Sequence, residues 1–175
     1  MAIKEYSLTG IKTYDLNLIP DERGFFTEAI RQDWSEIVGE PFIQANLSFT
    51  YPDIVRAWHR HLRGQVDIFL VLDGALKICA YNDQDHKLVE VISNSRKPML
   101  VSIPGHYWHG FKSVSPSLSG GTLLMYFVNR LYDAKNPDEE RRPWNDPTIV
   151  PVEINGNKND PRVGQPWDWF FPPHK

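Results

Sequence analysis

The sequence predicts an all-β protein folded as a sandwich or small barrel, and three observations carry that prediction. Short segments of β-branched and aromatic residues recur at residues 42–50, 54–61, 66–72, 75–81, 88–92, 99–103 and 122–129. Fourteen Pro and eleven Gly, spread over 175 residues, punctuate the chain between them. Only residues 33–38 read as a helix, opened by Asp33 and stopped by Gly39. Many short strands with turns at close intervals fit a sandwich or barrel.

Taken in order, each element has its own local reason. In Val55-Arg56-Ala57-Trp58-His59-Arg60-His61, alternation sets Arg56, Trp58 and Arg60 on one face and Ala57, His59 and His61 on the other. Asp73-Gly74 between two apolar runs signals a two-residue hairpin. The segment from Ile103 to Phe111 reads as a strand that turns at Pro104-Gly105 and runs back, carrying His109 toward the same interior. From Asn136 onward the chain is rich in Pro, Asn, Asp and Trp and is expected to wrap the barrel as ordered loop. There are no internal repeats, and residues 1–175 read as a single domain.

Composition narrows the function classes. An apolar share of 41% and a charged share of 23% are those of a soluble globule, long enough to bury a core. Net charge is −3, so no overall basic field attracts nucleic acid. Bases cluster only locally, in Arg56, Arg60, Arg63 and in Arg141, Arg142, which suits a small anionic ligand. Six Trp, seven Tyr and nine Phe favour flat binding surfaces. The single cysteine, Cys79, reads as a small buried residue and cannot form an internal disulfide, which fits a reducing compartment. The N-terminus has no apolar signal core and no run approaches membrane-spanning length, so the expected location is the cytoplasm, with no membrane partner.

Three patterns carry candidate chemistry. Two imidazoles, His59 and His61, aimed into a barrel must be hydrogen-bonded or used. His109 joins them from the Pro-Gly turn. Tyr126 lies in the apolar run Leu124-Met125-Tyr126-Phe127, where a phenol needs a partner; a core tyrosine bonded to a carbonyl is the competing explanation.

Together these patterns resemble the dTDP-4-dehydrorhamnose 3,5-epimerase family. Asp21-Glu22-Arg23-Gly24-Phe25-Phe26-Thr27-Glu28 is similar to that family's D-x-R-G-x-F-x-E. Gln44-Ala45-Asn46-Leu47-Ser48, followed by Arg56-Ala57-Trp58-His59, resembles Q-x-N-x-S and R-G-L-H. Pro104 to Phe111 resembles the P-G-F-A-H-G-F loop, Tyr126 and Tyr132 match two tyrosines six apart, and Trp144-Asn145-Asp146-Pro147 matches W-N-D-P. The likeness spans about residues 5 to 155, and five motifs in order make it specific.

The resemblance implies a cupin jelly-roll β-sandwich with a few short helices and an irregular C-terminal segment, usually a homodimer, acting on a nucleoside-diphosphate 4-keto-6-deoxy sugar with no cofactor and no metal. By motif match, His59 would be the base and Tyr126 the acid. Arg23 and Arg56 would hold the diphosphate and Gln44 and Asn46 the sugar, with Phe26, Glu28, His61, His109 and Tyr132 in the binding site. The family's carboxylate beside the base comes from the C-terminal segment, where Asp160 is the expected counterpart and Asp168 the reserve. Three departures stand out: Asp67 occupies the place of a family Lys that helps stabilise the enolate, Phe127 that of a Lys directly after the tyrosine, and His61 that of a Gln. Cupins often bind metal through H-x-H, a Glu and a later His. Here His59, His61 and His109 supply the imidazoles, while Gln65 stands nearest to the missing Glu. The His59/His61 pair also resembles that of sugar-nucleotide 3,4-ketoisomerases, and loss of the Lys fits a cupin that binds a sugar nucleotide without turnover. These alternatives stay open on the sequence.

Overall fold

In the computed structural model, residues 3–115 and 120–172 are described. Along the chain run β1 (Ile3–Glu5), β2 (Lys12–Asp15), β3 (Ile19–Asp21), β4 (Gly24–Phe26), the helix α1 (Ser35–Val38), β5 (Gln44–Thr50) and β6 (Val55–Arg60). They are followed by β7 (Val66–Asp73), β8 (Ala75–Tyr81), β9 (Lys87–Asn94), β10 (Met99–Pro104), β11 (Trp108–Ser115), β12 (Thr122–Val128), β13 (Glu140–Arg141) and β14 (Glu153–Ile154). A first six-stranded sheet has the order β1-β2-β10-β7-β12-β5 and a second the order β13-β6-β11-β8-β9-β14, with β3 and β4 forming a separate hairpin. Among the described residues only β14 pairs in parallel, with β9.

Side-chain alternation explains how these strands stack into layers. On β7, Phe69 and Val71 point between the sheets, while Ile68 and Leu70 point outward. The inward set meets Leu76, Ile78 and Ala80 of β8 and Val89 and Val91 of β9 in one core. The outward face of the first sheet, which includes Tyr14 of β2, is covered by Leu16 and the helix residues Ile37 and Val38. The outward face of the second sheet, with Trp58, Cys79, Tyr81 and Leu88, is covered by Ile149, Trp167 and Trp169 of the C-terminal segment. The segment from Asn136 therefore does wrap the sandwich. Lys77 lies on the same outward row and donates to the Trp169 carbonyl at 3.2 Å.

The Asp73-Gly74 hairpin is corrected by this topology. β7 belongs to the first sheet and β8 to the second, so the dipeptide carries the chain from one sheet to the other. Each strand already has two neighbours, and Gly74, with φ 80°, makes the turn out of the sheet. The helix begins later than expected, at Ser35. Asp33 does not cap it, because Arg31 holds both carboxylate oxygens at 2.9 and 2.7 Å. Among the described residues no helix is long and apolar enough to cross a membrane.

Trp169 is fully buried and packs on Trp58 with ring centroids 4.8 Å apart. Trp169→Ala is expected to destabilise the fold by about 3–5 kcal/mol, the range for such truncations. Urea denaturation measures it, and a loss below about 1 kcal/mol would mean that the C-terminal cover is not part of the core.

Candidate active site

The two sheets part where β5 and β7 begin and β6 and β12 end, leaving a cavity of about 850 Å³. The first sheet lines it with Gln44, Asn46 and Ser48 of β5, Asp67 and Phe69 of β7, and Tyr126 of β12. Opposite them the second sheet presents Arg56, His59 and Phe111, and the segment around β13 adds Glu139, Arg141, Arg142 and Trp144.

A bulge shapes the second wall. His109 pairs with His59, yet two residues further along β11, Phe111 pairs with Arg56, three residues away on β6. The extra residue re-aims the strand. Trp58 and Arg60 keep the outward face that alternation expects, and Arg60 lies over the Trp108 ring at 4.5 Å. Arg56 does not: it lines the cavity beside His59 and donates to Ser48 Oγ across the gap at 2.6 Å. Gly110 sits opposite the bulge, where a Cβ would run into Ala57.

Three imidazoles and one carboxylate gather under this wall. His59, His61, Asp67 and His109 each offer a ligand atom, all within 4.8 Å of one another, and among the described residues this is the group that could hold a metal ion. His109 Nδ1 is 2.8 Å from the Tyr107 carbonyl, and Nε2 is 3.0 Å from Asp67 Oδ2. His61 Nδ1 meets the Asp138 carbonyl, and its Nε2 lies 3.5 Å from the same Asp67 oxygen. Gln65 donates to Asp67 Oδ1 at 2.9 Å and to His61 Nε2 at 3.0 Å.

Burial, and then the neighbouring His109 and His61, push the His59 pKa well below that of free imidazole, so the ring is neutral at pH 7. Burial raises the Tyr126 phenol above its ordinary value, with the Asp67 charge adding to the effect, so it keeps its proton. The Tyr126 ring packs edge-on against Phe69, centroids 6.0 Å apart.

The cavity collects Gln44, Asn46, Arg56, His59, His61, Tyr126 and Tyr132 from the expected set, with His109 buried behind it. Tyr132 stands at the mouth, its N–H donating to Gln44 Oε1 at 3.0 Å. Arg23, Phe26 and Glu28 do not reach it: Arg23 pairs with Asp21 at 2.7 Å, Glu28 pairs with Arg31 at 2.7 Å, and Phe26 is exposed on the β3–β4 hairpin. Asp160 is not beside His59. Arg162 holds its carboxylate at 2.9 Å on the far side of the second sheet, together with Glu90 of β9. Asp168 accepts the Phe170 N–H in a turn. The carboxylate among the imidazoles is instead Asp67, and strand alternation with Phe69 is the signal that could have found it there. Ser48 was missed too, although it shares the row of Gln44 and Asn46.

Residues 19–140 match the polysaccharide biosynthesis C-terminal domain family. The chain belongs to that family. It is 37% identical over 139 residues to a probable low-salt glycan biosynthesis epimerase, Agl13 of Haloferax volcanii, covering 77% of this chain and 86% of the relative. It is 31% identical to the spore coat polysaccharide biosynthesis protein SpsL of Bacillus subtilis, over 81% of this chain and 93% of that one. Among solved structures, a dTDP-4-dehydrorhamnose 3,5-epimerase from Elizabethkingia anophelis matches with a TM-score of 0.73 and 19% identity, covering 98% of this chain and 87% of that one. The jelly-roll sandwich expected from the motifs is thus the fold of this family member.

The relocation of Asp160 has a measurable consequence. Asp160→Asn should lower stability by about 1.5–3 kcal/mol, the range for hydrogen bonds to charged groups, while sugar-nucleotide affinity stays unchanged. Denaturation and a binding titration measure the two. Lost affinity at intact stability would return Asp160 to the cavity.

Proposed function

We propose that the chain is an isomerase that inverts a carbon next to the ketone of a nucleoside-diphosphate 4-keto-6-deoxy sugar, with His59 as base and Tyr126 as acid. One observation carries this: His59 and Tyr126 line the same cavity from opposite sheets. A sugar held between them offers one ring face to each. His59 removes the weakly acidic proton and becomes imidazolium, the electron pair moves onto the ketone oxygen as an enolate, and Tyr126 protonates the same carbon from the other face. The tyrosinate and imidazolium then exchange protons with solvent. A neutral imidazole and a protonated phenol are the forms this sequence requires.

Arg56 at the cavity wall and Arg141 and Arg142 nearby supply the positive field for a diphosphate. The epimerase named in Haloferax volcanii supports the reaction class. A ketoisomerase would need His59 and His61 both free to move protons on one side, and His61 is tied to Asp138 and Gln65.

The family resemblance leads us to assign a homodimer. The edge strand β5 exposes Leu47 and Phe49, and the β3–β4 hairpin exposes Phe25 and Phe26, apolar area that a second copy would cover. Such a dimer would carry Arg23 toward the partner's cavity, which its own protomer does not allow.

Deuterium uptake and product formation test the acid and base. His59→Asn is expected to cut solvent exchange of the α-proton by about 10²–10⁴, the usual contribution of a general base. Tyr126→Phe should keep exchange, because His59 can return a proton to the face it came from, while inverted product falls much further. An equal fall in both would make Tyr126 necessary for forming the enolate, and no fall in either would leave it a core tyrosine.

Arg56→Ala should weaken binding of the free nucleoside diphosphate by about 1.5–3 kcal/mol. Arg23→Ala should do so as well if sedimentation finds two chains per particle. A monomer in which Arg23→Ala has no effect would remove both Arg23 and the dimer from the reading.

A further inference from the structure

We propose that Trp144 is the platform on which the base of the nucleoside diphosphate stacks, at the Arg56 end of the cavity. The assignment rests on the epimerase reading for its class of ligand and adds the wall against which the nucleoside lies. Trp144-Asn145-Asp146-Pro147 is a motif that the reaction leaves without a task. Here it builds a turn. The Asp146 N–H donates to the Pro143 carbonyl at 3.1 Å, and the Asp146 carboxylate accepts the Thr148 N–H at 2.9 Å. Ile149 N–H donates to the Asp146 carbonyl at 3.3 Å, and Trp169 Nε1–H donates to the Trp144 carbonyl at 3.1 Å. Ile149 and Trp169 are fully buried, so the turn is pinned to the core beneath it.

The Trp144 ring stays outside that core. It lines the cavity and is 44% exposed, the one exposed tryptophan among the described residues. Its ring contact is with Phe170, at 6.1 Å between centroids and 74° between planes. An indole held rigidly in that position loses little freedom on binding and gains from any flat ring that covers it.

Two separate sets of contacts put this ring beside Arg56. Arg141 pairs with His59, and Arg142 shares two backbone hydrogen bonds with Trp58, so the antiparallel run carries residue 144 toward Arg56 and away from His61. From the other side, Lys112 pairs with Val55, and its ammonium lies 4.5 Å over the Phe170 ring that touches Trp144. Tyr132 stands at the opposite end, against Gln44. A sugar nucleotide is linear: hexose, diphosphate, nucleoside. With the hexose between His59 and Tyr126 and the diphosphate at Arg56, the nucleoside comes next, and Trp144 is the next wall. Every base has a π-face, so stacking there is tolerant of base identity. The platform separates nucleoside diphosphates from bare phosphates, not one base from another.

The test is calorimetric titration of the full-length protein with dTDP, UDP and inorganic pyrophosphate. Trp144→Ala is expected to weaken dTDP and UDP alike, by about 5- to 150-fold, the range for one stacked base, and to leave pyrophosphate unchanged. Trp144→Phe should keep most of the affinity, because a ring remains. Bound dTDP should also shield the parent's fluorescence from iodide, and this protection should vanish in Trp144→Phe. Unchanged nucleotide affinity in Trp144→Ala places the base elsewhere and overturns the platform. A matching loss for all three ligands overturns it too, by making Trp144 a support for Arg56. Parent protein that holds dTDP no better than pyrophosphate has the same consequence. Stacking lost in Trp144→Ala, together with no deuterium exchange by the parent on 4-keto sugar nucleotides, sinks the epimerase reading alone. Exchange by the parent with full nucleotide affinity in Trp144→Ala sinks the platform alone.

Discussion

The carboxylate of Asp67 is carried between the two sheets on the same row as Phe69 and Val71, and an ionised group in that position is costly unless every oxygen is matched. What surrounds the carboxylate follows from that requirement. Gln65 donates to one oxygen, and the imidazoles of His61 and His109 are turned toward the other. Those rings are turned in their own right by the carbonyls of Asp138 and Tyr107. Asp138 belongs to the segment after β12, and its carboxylate also caps the Leu62 and Arg63 amides. One buried charge thus ties the floor of the cavity to the loop at its rim.

The layers outside the sheets serve the same end of the molecule. Arg142 pairs in backbone hydrogen bonds with Trp58 at 3.0 and 3.2 Å, and its guanidinium lies over Trp108 at 4.1 Å while bonding Asp83 at 2.6 Å. The C-terminal cover that buries Trp58 therefore also holds the cationic rim next to His59. Packing of the second sheet's outer face and electrostatics of its inner face are coupled through a single strand, β6.

Much of this was legible in the sequence, and the losses have physical causes. Apolar runs such as 75–81 read as strands because both faces of β8 are buried, which also hides any alternation. Lys12–Asp15 mixes charged and aromatic residues and gives no periodic signal, although β2 is a full member of the first sheet. His59, Tyr126, Gln44 and Asn46 came together because motif order survives in strand order. Arg56 was misplaced because a bulge is invisible to a strict period of two. Asp160 was misassigned because its partner, Arg162, lies two residues away in a segment without periodicity, where only tertiary contacts decide which charge meets which.

The facing sheets also set a dimension. Packed sheets keep their backbones about 10 Å apart, and here side chains such as Leu124, Val71 and Ile78 hold that spacing just beyond the cavity. Imidazole and phenol reach in from either wall, so the gap they leave works as a calliper whose setting is fixed by the core packing of the sandwich, at residues outside the cavity.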